Sequence, residues 1–92
     1  MYAIYRSTRF RKDLKQAVKN PRFKNAVFIS VVNTLIQGNP LPEKYQNHKL
    51  TGEFSDCCEC HIQPDVLLIY IIDDDKHELR LVRIGSHAEL FG

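Results

Sequence analysis

The chain has 92 residues, enough for one domain around one core and too few to divide. A hydrophobic share of 43% excludes a disordered tail, and no apolar run approaches the 18 or so residues of a membrane span. The net charge of +2 hides an asymmetry: residues 1–50 hold ten Lys/Arg against two Asp/Glu, residues 51–92 three against nine.

A basic half of this strength fits a polyanion such as RNA, or an acidic protein segment. A solvated basic helix face would give the same count with no partner at all. Met1 leads into Tyr-Ala-Ile-Tyr-Arg rather than a basic patch and a long apolar stretch, so a cytoplasmic protein without membrane contact is expected.

In chain order, residues 2–6 are aromatic and β-branched enough for a short strand, and Ser7 or Thr8 then offers a helix N-cap. Phe10, Leu14, Ala17 and Val18 form one stripe of a first helix, with Arg9, Arg11, Lys12, Lys15 and Lys19 around the rest, until Asn20-Pro21 ends it. A second helix is expected from Arg22 to Gln37, because sixteen residues without a turn signal are too many for a strand and Gly38-Asn39-Pro40 is a good stop. Its nearly continuous apolar surface predicts packing between the first helix and a sheet.

Residues 39–53 read as a long connecting loop that carries His48. Three strands follow at about 56–62, 66–72 and 79–85, with turns at Gln63-Pro64-Asp65 and Asp73 to His77. Short connections imply an antiparallel meander, and residues 88–92 are left as a tail. The whole is an α+β domain spanning residues 1–92, with the N-terminal strand and two helices packed on an antiparallel sheet.

Strand alternation sorts the C-terminal half. Cys58, Cys60 and Ile62 share one face, and Cys57, Glu59 and His61 the other, polar one. On the last strand Val82 and Ile84 share a side, Arg83 and Gly85 the opposite side, and continued alternation brings His87 to join Arg83. With the apolar sides against the helices, Glu59, His61, Arg83 and His87 meet on the open side.

Those are the parts needed to cleave RNA without a metal or other cofactor. One group takes the proton of a ribose 2′-hydroxyl, and another protonates the departing 5′-oxygen. Histidine serves both ends because its ordinary pKa, about 6.5, leaves both forms available near neutrality. Arginine braces the phosphate with two donors as charge builds on its oxygens. An exposed or hydrogen-bonded structural role is the competing reading for His48 and His61. His77, in an acidic turn, reads as structural.

Cys57-Cys58-Glu59-Cys60-His61 also suggests a zinc site, since thiolate and imidazole are preferred ligands. Alternating side chains argue against it, because only Cys57, Glu59 and His61 share a face, and no second Cys/His pair stands elsewhere at finger-like spacing. The three cysteines, an odd and purely local set, read instead as reduced thiols, with Cys58 and Cys60 as small core residues.

His48-Lys49-Leu50-Thr51-Gly52, His61-Ile62-Gln63-Pro64-Asp65 with Leu68-Ile69-Tyr70, and Arg83-Ile84-Gly85-Ser86-His87-Ala88-Glu89-Leu90-Phe91 stand in this order. On these motifs the chain resembles the YafQ toxins of the RelE/ParE superfamily over nearly its whole length. The resemblance implies a RelE-like fold and an mRNA interferase acting on messenger RNA in the ribosomal A site. It implies silencing by a cognate antitoxin of the DinJ or RelB kind, and the charge of the basic half suggests ribosomal RNA and an acidic antitoxin segment as what that half meets. The resemblance places catalysis on His48, His61, Asp65 and His87, with His87 as general acid and His48 or His61 as base. Phe91 would stack on a base, and Lys49 and Arg83 would meet RNA phosphates. Glu59 stands where the family pattern has aspartate, a longer side chain of the same charge. Asp65, following proline, is equally an ordinary turn residue. Two other functions compete: a ParE-like toxin that inhibits DNA gyrase without cleavage, and a binding module in which the histidines are incidental.

Overall fold

The computed structural model describes residues 1–92, the side chain of Glu53 excepted. Strand β1 (Ala3–Arg6) leads to helix α1 (Thr8–Val18) and helix α2 (Asn25–Ile36); then come β2 (His48–Lys49), β3 (Cys58–Gln63), β4 (Val66–Asp73), β5 (Glu78–Gly85) and a last helix, α3 (His87–Phe91). Short 3-10 turns at Glu43–Tyr45 and Gly52–Phe54 flank β2. The five strands form one sheet in the order β1-β5-β4-β3-β2.

The meander β3-β4-β5 is antiparallel as predicted, but the sheet as a whole is mixed. β1 pairs parallel to β5, Ala3 opposite Glu78 and Arg6 opposite Leu81. The long excursion through both helices allows this, because only a tight hairpin forces neighbours to be antiparallel.

Ser7 caps α1 by accepting from the N–H of Phe10, and the stripe of Phe10 and Leu14 turns into the core. Val18, predicted to belong to that stripe, is 53% exposed; at the last helical residue it has turned past the sheet. α2 buries Phe28, Val31, Val32 and Leu35. It does not lie between α1 and the sheet: α1 packs on β5 and α2 on β3, side by side.

Two apolar clusters follow from the alternation. The main core joins the helices to Cys60, Ile62, Leu68, Tyr70, Leu79, Leu81 and Ile84. On the opposite face, predicted to be polar and open, Cys57, Leu67, Ile69 and Leu90 form a smaller cluster with Leu50, Phe54 and Val82. Val82 and Ile84 therefore do not share a side. The pairing shifts there, with Ile69 opposite Arg83 but Tyr70 opposite Leu81, so Val82 is an extra residue in β5. A bulge of this kind breaks strict alternation at one point and restores it beyond.

The expected tail is helical. Ser86 accepts from the N–H of Glu89 while the Glu89 carboxylate accepts from the N–H of Ser86, a reciprocal capping box. Gly85 lets α3 fold back at once: a Cβ there would come within 3.1 Å of Glu89 Oε1 and 3.4 Å of Leu90. Leu90 thereby reaches the smaller cluster.

Candidate active site

The histidine motifs assemble on the sheet face that carries the smaller cluster. His48, predicted in a loop, lies in β2, opposite Glu59 of β3. Glu59 is opposite Ile69, and Ile69 opposite Arg83. The next row runs from His61 through Leu67 to Gly85. Side chains opposite one another across antiparallel strands share a face. His48, Glu59 and His61 therefore stand together at one side of it.

The carboxylate of Glu59 is the centre of the group. It is buried, and its Oε1 lies 3.5 Å from Nε2 of His48 and 3.7 Å from Nε2 of His61. Nδ1 of His48 is 2.8 Å from the carbonyl oxygen of Gln46. A carbonyl only accepts, so that nitrogen carries a hydrogen. Gln46 has the left-handed φ of +50°, a conformation held only where surroundings over-determine it. Next to it Asn47 accepts a 2.5 Å hydrogen bond from the hydroxyl of Tyr70. Burial pushes the Tyr70 pKa up, and the nearby Cys58 and Cys60 add to this, so the phenol is a donor at neutral pH. The segment bearing His48 is thus tied to the core through its neighbours.

His87 comes to this face through α3 rather than by continued strand alternation, since β5 ends at Gly85. Two strand spacings separate Gly85 from His61, roughly 10 Å between their backbones. The His87 ring packs at 4.9 Å centroid distance against Phe91, and Phe91 meets Phe54 edge-on at 5.8 Å. His87 and Phe91 are exposed, held by a helix whose inner side is anchored by Leu90.

Arg83 shares the row of Glu59, but buried Ile69 stands between them, and its guanidinium turns to α1. Nε and Nη2 donate to the Asp13 carboxylate at 2.6 and 3.1 Å, which keeps the Arg83 charge even more firmly in place. The same carboxylate accepts from the N–H of Ile84 at 3.2 Å, closing the edge of β5 beyond the end of β1. Three of the five guanidinium N–H donors remain. Asp13 was not singled out from sequence; its signal was a lone carboxylate in an otherwise basic helix.

Lys49 is exposed on β2, opposite Cys58. Asp65 is exposed in the β3-β4 turn and lines a cleft of about 370 Å³ with Lys12, Arg22, Ser86 and Glu89, apart from the Glu59 group. The cysteines are dispersed: Cys57 lies in the smaller cluster, and Cys60 in the main core, where burial pushes its thiol up to about 12. Among the described residues, no three His, Cys, Asp or Glu side chains are arranged to hold a metal ion.

Residues 2–92 match the family model of the bacterial toxin of the type II toxin-antitoxin system, YafQ. The chain belongs to the YafQ toxin family. The mRNA interferase toxin YafQ of Escherichia coli is 39% identical over 88 residues, covering 94% of this chain and 91% of its own. Among solved structures, a metal-bound toxin from Helicobacter pylori is 46% identical with a TM-score of 0.91, covering 99% of this chain and all of that one. YafQ in the E. coli DinJ–YafQ complex is 34% identical with a TM-score of 0.89, covering the whole of both chains. The RelE-like α+β fold expected from the motifs is the fold of these YafQ structures. Among the described residues, no helix of this toxin is long and apolar enough to cross a membrane.

Proposed function

We propose that this toxin is an mRNA interferase, an endoribonuclease that cleaves messenger RNA in the ribosomal A site by histidine acid–base catalysis without a metal. The observation that carries the chemistry is the buried Glu59 carboxylate facing Nε2 of both His48 and His61, on the sheet face over which α3 presents His87.

His61 is the base. Its Nε2 is oriented toward Glu59, which leaves Nδ1 to take the proton of the ribose 2′-hydroxyl, and the carboxylate offsets the positive charge that forms on the ring. The 2′-oxygen attacks phosphorus and the bond to the 5′-oxygen breaks. His87 gives its proton to that oxygen, leaving a 2′,3′-cyclic phosphate. His48 is the second histidine of the site. Its Nδ1 is held by the Gln46 carbonyl and its Nε2 faces Glu59, which fixes the ring beside the phosphate. Lys49, exposed on β2, supplies positive charge to the phosphates, whereas the Arg83 charge is committed to Asp13. Phe91 stacks on a base next to the cleavage point, and Asp65 borders the path of the strand.

The partners of this reading are the ribosome with its message and a cognate antitoxin whose acidic segment meets the basic half. The E. coli relative in complex with DinJ supports an antitoxin of that kind. The test is induction of wild type beside His87→Ala, with growth and messenger 5′-ends read together. The variant should lose roughly 10²- to 10⁴-fold in cleavage. Growth arrest by His87→Ala at wild-type dose would overturn the reading.

A further inference from the structure

Among the described residues β2 pairs only with Cys58 and Glu59, so beyond them the outer edge of β3 has no described strand beside it. A cleft of about 420 Å³ opens along that edge. It is lined by Lys24 and Val27 at the start of α2, by Lys44, Tyr45 and Gln46 after the second helix, and by His61 to Pro64. His61 is thus both a member of the Glu59 group and part of this cleft's wall. The volume is in the range of small-ligand sites.

The cleft is a built feature. Gln63 fixes one wall by accepting from the N–H of Lys24 at 2.8 Å and donating to the carbonyl of Arg22 at 3.0 Å, which ties the end of β3 to the approach to α2. Tyr45 packs on the main core, and the Lys44 ammonium lies 5.2 Å from the centre of its ring, a cation–π contact that holds the charge at the rim. Among the described residues, none that line the cleft is acidic. The Asp65 cleft on the other side of the β3-β4 turn sets Asp65 and Glu89 against Lys12 and Arg22, with Asp13 paired to Arg83, so it carries no excess of positive charge.

We infer that the Lys24–Lys44–Tyr45 cleft is a nucleotide subsite, which receives the RNA residue adjoining the scissile bond on the His61 side. Its backbone phosphate lies between the two ammonium groups, and its nucleoside lies against Tyr45, Val27 and Pro64. Single-stranded RNA suits such a site, because an unpaired nucleotide turned out of its stack presents a flat face to an aromatic ring and an anion to lysine. The inference rests on the nuclease reading, since it needs a strand passing His61.

The test uses a short single-stranded RNA with a 2′-deoxy residue at the cleavage point, so that binding is read without reaction. Anisotropy across a salt series is compared for wild type, Lys24→Ala/Lys44→Ala and Lys24→Arg/Lys44→Arg, with thermal melts to verify folding. The alanine pair should bind about tenfold more weakly, with a slope of log K against log salt shallower by about 0.7 per lost phosphate contact; the arginine pair should restore both. Shortening the RNA by the nucleotides on that side should remove the difference between wild type and the alanine pair. Equal binding by wild type and the alanine pair overturns the subsite. So does loss of antitoxin binding with RNA binding unchanged, which would make the cleft a protein-docking groove. Wild type that leaves messages on translating ribosomes intact sinks the nuclease reading instead, and is scored separately.

Discussion

Oε1 of Glu59 lies 3.5 Å from Nε2 of His48, and this buried carboxylate, shared with His61, brings the side chains of two neighbouring strands into one group. Glu59→Gln keeps the shape and removes the charge that faces both rings. Single-turnover cleavage should fall roughly a hundredfold with little change in melting temperature. Glu59→Asp should recover part of the loss, and a fully active Gln variant would show that the carboxylate is only structural.

The pair of Arg83 with Asp13 predicts a stability effect in a different part of the fold. Asp13→Ala leaves an inward guanidinium without its acceptor and the N–H of Ile84 unpaired. A cost of about 2–3 kcal/mol is expected in urea unfolding, with no change in slope. Asp13→Glu cannot place both oxygens on the same donors and should restore only part of it.

The capping box at Ser86 and Glu89 controls how firmly His87 and Phe91 are presented. Ser86→Ala should cost about 1 kcal/mol, confined to α3. Hydrogen exchange would detect it as faster exchange of the Leu90 and Gly92 amides, which donate within this helix, while β4 amides stay protected. Cleavage should weaken in step with that loss of protection.

Cys60 sets an alkaline limit on stability. Its pKa is raised from 9.0 to about 12 by burial, so the folded state keeps the thiol neutral while the unfolded chain ionises it. The contribution is fully present below about pH 9 and is lost as pH rises toward 12, at up to about 1.4 kcal/mol per pH unit. Unfolding free energy measured from pH 8 upward should decline more steeply for wild type than for Cys60→Val, and parallel curves would contradict the assignment.

Much of the fold could be read along the chain because its signals are local. Caps, turn residues and apolar periodicity located α1, α2 and the meander to within a few residues, and alternation put Cys60 and Ile62 in the core with Glu59 and His61 opposite. The motifs around His48, His61 and His87 carried the family. The sequence by itself thus determined α1, α2, the meander and their order, while β2 and α3 escaped it.

Pairing across long separations was decided by the tertiary structure. The parallel docking of β1, the seating of His48 opposite Glu59, the bulge at Val82 and the turn of Arg83 toward Asp13 each join residues from distant segments, and no local propensity encodes such a register. Cooperative packing selects it, because a one-residue shift would move buried groups such as Ile69 and Glu59 to the wrong face. The cleft beside His61 has the same origin, being the space left where β2 stops and the start of α2 closes over the edge of β3.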